Sequence, residues 1–452
     1  MLILHSIQYL KYFGNKLAQK LMRKDYPLFT VIIPTKNRAE YLKYTLKTCV
    51  LQEYPNFMII VSDDCSDDNS VEIVNAYAQI DDRIKLYAHD KHLGMRDNFE
   101  FALSKVKPGY VMALGGDDGL IPGCIQRMFE ILEETQSELL TWTPAAFSYP
   151  TFDGDESIFY VRRKHAPHKI IKSEEFLTKL TQTFNYQVPG CPMFYIQGVA
   201  STKLIDRVKS RTPDQCFYYC PTPDGFSGVV LAGEVENYTM SYEPLSIIGT
   251  TKKSQGQNYR RTDEQSRKEA EEFFNDNIRR RMHKELASQP YSPLSTLMTA
   301  DYLLTARDLP GWPGKMPTIS FELLLKKSFE LIANGTYDND VLIRELKILR
   351  EIAIQHDLLS QFNKLYKKTK KIIGKDRAIK GFAYTHSIRF PGNRLNINNI
   401  YDASLATNFV YDFFGIFSIR EFIEMLINSV IVIYARYGYH KTTNLPKILS
   451  DN

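Results

Sequence analysis

At 452 residues the chain is too long for one ordinary hydrophobic core, so two domains are expected. Its 44% hydrophobic and 24% charged residues are the composition of a folded globular protein and exclude a disordered or fibrous one. A formal net charge of +5 gives no electrostatic case for nucleic acid, and the six cysteines, Cys216 and Cys220 included, form no zinc-type set, so reduced thiols in a cytosolic protein are expected.

Residues 1–26 set Ile3, Ile7, Leu10, Leu17 and Leu21 on one helical stripe, with Lys11, Lys16, Lys20, Arg23 and Lys24 supplying charge. A basic amphipathic helix suits an anionic membrane surface. It suits equally a face of the protein itself or a second subunit. No basic start, apolar core and small-residue cleavage site follow one another, so no cleavable signal peptide is read.

From Phe29 the pattern becomes that of alternating strands and helices. FTVIIP is a β-rich run stopped by Pro34, and residues 39–51 read as a helix. Residues 57–62 (FMIIVS) form a second buried run, followed by the acids Asp63, Asp64, Asp67 and Asp68 and a helix over 69–79. Residues 84–88 are a third strand, 95–106 a helix, 110–114 a fourth strand and 121–135 another helix. Strands that alternate with helices predict a mostly parallel, doubly wound sheet with helices on both faces.

That architecture has a geometric consequence. Pro34, Thr35, Lys36, Asn37 and Arg38 follow the first strand, Asp63 and Asp64 the second, and Asp117 and Asp118 the fourth. All three polar clusters are therefore expected at the carboxyl edge, where open α/β sheets bind ligands. Two adjacent carboxylates behind a Gly-Gly pair repel one another unless a cation neutralises them. A turn with Asp capping the next helix is the plainer alternative for this stretch taken alone. The combination of acids, Asn and Arg suits a nucleotide with a metal-bound diphosphate. Neither GxGxxG after the first strand nor GxxxxGK[ST] occurs, which disfavours a dinucleotide oxidoreductase or a P-loop enzyme.

The ordered motifs VIIPTKNR, VSDDCSDD, HLGMRDN and LGGDDGLIPG resemble glycosyltransferase family 2 and its GT-A fold, strongly over residues 29–128 and more loosely to about 255. The resemblance implies that Pro34, Thr35, Asn37 and Arg38 lie beside the nucleotide and that Asp64 hydrogen-bonds the base, usually uracil. It implies a basic nucleotide contact at Arg96, a ribose or diphosphate contact at Asp117, and a metal ligand, for Mn2+ or Mg2+, at Asp118. Gly116 stands where the family often has a first Asp. Asp224, after Pro221-Thr222-Pro223 and before an apolar helix over 226–232, falls where the family has its catalytic base. A helix N-cap is the alternative for Asp224, and Glu234 and Glu236 are alternative bases. Residues 191–197 read as a strand, and YTMSYEPLSIIG resembles the family's closing hairpin. Lys252 and Lys253 follow the hairpin and could reach the diphosphate, but read first as exposed loop lysines.

The implied reaction is a single displacement with inversion, moving one sugar from a nucleotide-diphosphate sugar, expected to be UDP-linked, to a glycan or lipid-linked glycan in surface polysaccharide synthesis. A sugar-phosphate nucleotidyltransferase is the alternative enzyme, against which the first loop lacks a glycine cluster. A non-catalytic nucleotide-sugar-binding scaffold is the other alternative. The processive branch is disfavoured, because no Gln-X-X-Arg-Trp occurs.

After about residue 255 the sequence turns polar and helical, with helices expected over 271–286, 292–304, 321–333, 338–355 and 419–434. Residues 256–452 read as a helical C-terminal domain with an acceptor, membrane-surface or oligomerisation role, after a GT-A domain over 27–255. Eight basic residues between 364 and 380 suit anionic lipid or a solvated helix face equally. The apolar run 425–435 is too short to span a bilayer. A cytoplasmic protein is expected, at most attached to the inner membrane surface, with a homo-oligomer left open and no nucleic-acid partner.

Overall fold

The computed structural model describes residues 26–150, 157–162, 166–254, 264–276, 281–335, 337, 339–370 and 387–414. The expected N-terminal helix before residue 26, the apolar run 425–435, the helix over 419–434 and most of the basic stretch past Lys370 lie outside these residues.

The first half alternates as expected. Strand β1 (Phe29–Thr35) leads to helix α1 (Ala39–Val50), β2 (Phe57–Asp63) to α2 (Ser70–Ala78), and β3 (Ile84–Ala88) to α3 (Met95–Ser104). Strand β4 (Tyr110–Ala113) is followed by the two-residue β5 (Gly119–Leu120) and helix α4 (Cys124–Thr135). Then come β6 (Leu139–Trp142), β7 (Ala145–Ser148), β8 (Ile158–Arg162), β9 (Lys169–Lys172) and α5 (Ser173–Thr183). Strand β10 (Gly198–Ser201), α6 (Thr202–Lys209), α7 (Asp224–Glu234), β11 (Asn237–Ser241) and β12 (Ser246–Thr250) complete this half. The later elements are α8 (Glu264–Asp276), α9 (Ser295–Arg307), α10 (Phe321–Asn334), α11 (Asn339–Gln355), α12 (Leu359–Lys370), β13 (Ser387–Pro391) and α13 (Ile400–Phe414).

Strands β3, β2, β1 and β4 lie side by side and parallel, and the eight-stranded sheet continues through β10, β6, β11 and β9. Strand β10 runs antiparallel to both β4 and β6, so the sheet is mixed. All seven residues of β1 are buried, because helices cover both faces of this central strand. Pro34 is tolerated there because pairing with β4 ends at Ile32, leaving Pro34 a neighbour in β2 alone. One apolar core lies between the sheet and α3, α5, α6, α7 and the later helices, and a second lies on the opposite face with α1, α2 and α4.

Several expected elements are placed differently. Residues 191–197 are not a strand; the ladder begins at Gly198. Strands β11 and β12 do not pair as a hairpin. Strand β11 joins the large sheet beside β6 and β9, whereas β12 joins a second, five-stranded sheet beside β7 and β5. Each instead runs parallel to an earlier buried strand, β11 to β6 and β12 to β7, so the turn between them carries the chain from one sheet to the other. The helix expected over 271–286 ends at Asp276, and a short 3-10 turn occupies Lys284–Leu286. Two elements after residue 255 also contact the first half. Strand β13 pairs antiparallel with β8, and α13 returns onto the sheet half, where Ser404 donates to the Leu120 carbonyl at 2.5 Å.

Candidate active site

Because β1, β2 and β4 are parallel, their C-terminal ends open on one rim. Strand β10, being antiparallel, brings the segment before it to the same rim, and the Ile196 N–H donates to the Ala113 carbonyl at 2.7 Å. The rim opens on a cavity of about 780 Å3. Pro34, Thr35, Asn37, Arg38, Asp64, Asp117, Asp118 and Asp224 all line it. Eight site residues from four loops thus converge. Arg96 does not line the cavity. It sits on α3 with its guanidinium 2.6 Å from Asp97, while Met95, Asn98 and Phe99 take the cavity-facing positions.

The acid-rich loop after β2 divides its labour. Asp63 accepts from the Ser66 hydroxyl at 2.6 Å, and Asp68 accepts from the Ala39 N–H at 3.0 Å, which caps α1 from another loop. Such caps contribute about 1 kcal/mol. Ser66 in turn accepts from the Asn37 N–H at 2.8 Å, so the loops after β1 and β2 are locked together. Asp64 alone of these acids lines the cavity, 2% exposed. Its Oδ1 accepts from the Leu93 N–H at 2.6 Å, and its Oδ2 from the Gly94 N–H at 3.2 Å and the His92 ring at 2.8 Å. A carboxylate has about four lone-pair sites, so three donors leave Asp64 one more partner to accept from.

The Gly115-Gly116 pair is needed for close approach rather than for a left-handed backbone, since neither has a positive φ. A Cβ on Gly115 would stand 2.5 Å from Asp118 Oδ2 and 2.6 Å from the Tyr195 hydroxyl, and one on Gly116 would stand 2.8 Å from Thr35 Oγ1. The two carboxylates behind these glycines are 8% and 1% exposed. Asp117 accepts from Thr251 Oγ1 at 3.2 Å. Asp118 accepts from the Gly115 N–H at 3.0 Å, the Gly249 N–H at 2.9 Å and the Tyr195 hydroxyl. Burial raises the Asp117 carboxyl, which the charge of Arg38 partly offsets. Burial, then the charge of Asp117, pushes the Asp118 carboxyl up to about 8.

This donor set fits a divalent cation. Two buried carboxylates lie side by side, each raised by burial and Asp118 further by the charge of Asp117, at the edge of a cavity with room for a phosphorylated ligand. Cations of the magnesium type are commonly held by one or two carboxylates together with substrate phosphates. A different acidic group, His283, Glu285 and Asp308, lies outside the cavity and is engaged by Lys284 and Arg307 in an exposed ion-pair network.

Asp224 opens α7 and lines the cavity as well. Tyr186 donates to its Oδ2 at 3.1 Å, and its Oδ1 is buried without a partner. Thr35 Oγ1 is another cavity-lining oxygen left buried and unpartnered. Glu234 is held by Arg211 at 2.6 Å at the far end of α7, and Glu236 is exposed; neither lines the cavity.

Sequence reasoning missed the residues that position these groups. Tyr186, Tyr195 and Thr251 carry no motif of their own, and His92 and Gly249 lie at the ends of HLGMRDN and YTMSYEPLSIIG without being singled out there. Lys253, read as an exposed loop lysine, lines the cavity, and its ammonium donates to the Asn37 carbonyl at 2.9 Å. The later helical half also contributes to the wall, through Glu272 and Asp276 on α8 and through Tyr291, Met298 and Tyr337. Glu272 pairs with Lys36, and Asp276 approaches His92 at 3.2 Å.

Part of the chain is similar to known glycosyltransferases. The family model described as "Glycosyl transferase family 2" matches residues 30–195. "Glycosyltransferase GlyA" of Streptococcus pneumoniae is 29% identical over 131 residues, covering 29% of this chain and 18% of that protein. "Putative teichuronic acid biosynthesis glycosyltransferase TuaG" of Bacillus subtilis is 30% identical over 108 residues, covering 24% and 43%. "GalNAc(5)-diNAcBac-PP-undecaprenol beta-1,3-glucosyltransferase" of Campylobacter jejuni is 31% identical over 109 residues, covering 24% and 35%. The match spans half or less of each of these three relatives. Among solved structures, S. aureus TarS 1-349 in complex with UDP-GlcNAc is 13% identical with a TM-score of 0.43, covering 78% of this chain and 95% of that one. Mannosyltransferase PcManGT from Pyrobaculum calidifontis in complex with GDP-Man and Mn2+ is 14% identical with a TM-score of 0.38, covering 80% and 96%.

Proposed function

We propose, from the match of residues 30–195 to the glycosyl transferase family 2 model, that the chain transfers a single sugar, with inversion, from a UDP-linked donor to a glycan or lipid-linked glycan in surface polysaccharide synthesis. The donor sugar is a hexose or an N-acetylhexosamine. One observation carries the reading: the Asp117-Asp118 turn and the unpartnered Asp224 Oδ1 line one cavity. The names of the relatives, one for teichuronic acid biosynthesis and one for glucosyl transfer to an undecaprenol-linked glycan, support a surface-glycan acceptor. In this reading the transfer takes place in the cytoplasm, at most against the inner face of the membrane. Among the described residues no helix is long and apolar enough to cross a membrane.

In this mechanism Pro34, Thr35, Asn37, Arg38 and Asp64 seat the nucleotide. Thr35 offers a hydroxyl that has no internal partner, and Arg38 places a guanidinium beside Asp117, where a diphosphate would lie. Asp118, with Asp117 beside it, would hold Mn2+ or Mg2+. A cation held there would offset the negative charge that develops on the leaving diphosphate. Asp224 Oδ1 accepts the proton of the acceptor hydroxyl. The hydroxyl oxygen bonds to the anomeric carbon as the bond to the diphosphate oxygen breaks, and the electron pair leaves with the diphosphate. One displacement gives inversion.

The test is Asp224→Asn. Turnover, followed as nucleoside-diphosphate release across a panel of UDP- and GDP-sugars, should fall roughly a hundred- to ten-thousand-fold, the range for a lost general base. Calorimetric titration with UDP and manganese should be unchanged. Turnover at the unsubstituted rate sinks the assignment of the base.

A further inference from the structure

Asp224 presents its two oxygens unequally, and the cause lies in the helical half of the chain. Oδ2 accepts from the Tyr186 hydroxyl at 3.1 Å, whereas Oδ1 is buried and unpartnered. Tyr186 is itself fixed from two sides. Its backbone N–H donates to Thr299 Oγ1 at 3.1 Å, and its ring stands edge-on to Tyr302 with centroids 5.6 Å apart and planes at 73°. Thr299 and Tyr302 both belong to α9, and the Tyr302 hydroxyl is paired in turn with Thr222 two residues before Asp224. Gly225 makes room for this arrangement: a Cβ there would stand 2.2 Å from the Tyr302 ring and 3.0 Å from the Tyr186 ring.

From this geometry we infer that Tyr186 is a positioning residue, whose hydroxyl occupies Asp224 Oδ2 so that Oδ1 alone meets the acceptor hydroxyl. The inference rests on Asp224 being the base. Burial, and then the charge of Asp224, raise the Tyr186 phenol well above its ordinary range, so it stays protonated as a donor. The other titratable groups that feel Asp224 are Cys191, Tyr195, Tyr291 and Tyr302. Burial first, with Asp224 among the further causes, raises all four, and they remain neutral. A hydrogen bond to a charged group held this way fixes a carboxylate that sits on the first turn of a helix and would otherwise rotate. It also gives α9 a part in the reaction: the helix sets the angle of the base through one threonine and one ring.

The experiment is a double-mutant cycle in the full chain, read as kcat for nucleoside-diphosphate release with the fastest donor of the same panel. Tyr186→Phe should lower kcat about tenfold to a hundredfold, the loss for one hydrogen bond to a charged group, and leave the donor KM unchanged. In the Asp224→Asn background the same change should alter kcat less than about twofold, because the two residues act as a unit. A merely structural role would repeat its full loss in that background, and this outcome overturns the inference, as does unaltered kcat in Tyr186→Phe alone. Should Tyr186→Phe not fold, Thr299→Ala releases the Tyr186 backbone while keeping its hydroxyl, and its effect on kcat is read through the same cycle. If Asp224→Asn keeps full turnover, the base assignment falls and takes this inference with it. If Asp224→Asn is slow and Tyr186→Phe is not, the inference alone falls.

Discussion

The N–H of Gly249 donates to Asp118 Oδ1 at 2.9 Å across 131 positions of chain, and it does so from a strand that can tolerate no side chain at that point. A Cβ on Gly249 would stand 1.8 Å from the Asp117 carbonyl oxygen. The clash is with backbone, which no rotamer change relieves. Gly249→Ala should therefore push the Asp117-Asp118 turn off β12. The cost expected for overpacking is about 1–3 kcal/mol, enough to lower the melting temperature by several degrees. Metal-dependent UDP affinity should fall with it. Calorimetric unfolding and UDP titration check the two halves, and unaltered UDP binding would mean that the turn does not depend on β12.

Asp118→Asn keeps the size of the side chain and removes its charge. The amide oxygen can accept from only one of the Gly115 and Gly249 N–H groups and its NH2 faces the other, so some stability is lost while the fold should survive. The manganese-dependent part of UDP affinity should disappear, because an amide is a far weaker ligand for a hard cation. Titration with and without manganese decides the matter: if manganese still strengthens UDP binding, the cation is held elsewhere.

The same carboxyl predicts how stability depends on pH. The folded chain holds the Asp118 proton up to about 8, whereas the carboxyl ordinarily releases it near 3.8. The stability this group contributes is therefore fully present below the unfolded value and is lost as pH rises through the folded one. The melting temperature of the ligand-free protein should fall between about pH 5 and pH 8 more steeply than that of Asp118→Asn, measured by scanning calorimetry in matched buffers. Manganese with UDP should raise the melting temperature more at the alkaline end, where no proton has to be displaced. Parallel curves for the two proteins would contradict the buried-proton account.

Arg38 ties the first loop to the last. Its guanidinium donates to the Lys253 carbonyl at 2.6 Å, and its charge lowers the Asp117 carboxyl against the effect of burial. Arg38→Ala should reduce kcat/KM for the donor about tenfold to a hundredfold, the loss for one charged hydrogen bond, with little change in melting temperature because the site is partly solvated. Arg38→Lys should restore only part of it, since a single ammonium lacks the planar fork that reaches a carbonyl and a phosphate together. Steady-state kinetics on the three proteins tests this, and equal activity in all three would remove Arg38 from the donor site.

The sequence alone determined the first four strands and the rim they share. Parallel strands joined by helices must put every strand's C-terminal loop on one edge, so Thr35, Asp64 and Asp117-Asp118 could be brought together from their order along the chain. Only the tertiary structure decided what holds them. Tyr195, Gly249 and Thr251 reach the two carboxylates from segments whose local patterns say nothing about acids, and Tyr186 reaches Asp224 through a helix 113 positions away. Arg96 read as a nucleotide contact by its place in HLGMRDN, yet it is absent from the cavity lining and pairs with Asp97. The separation of β11 from β12 and the return of α13 to the sheet were hidden for the same reason. Periodicity and turn chemistry report on neighbours within a few residues, whereas strand order and the donors to a buried charge are settled by which distant surfaces bury the most apolar area together.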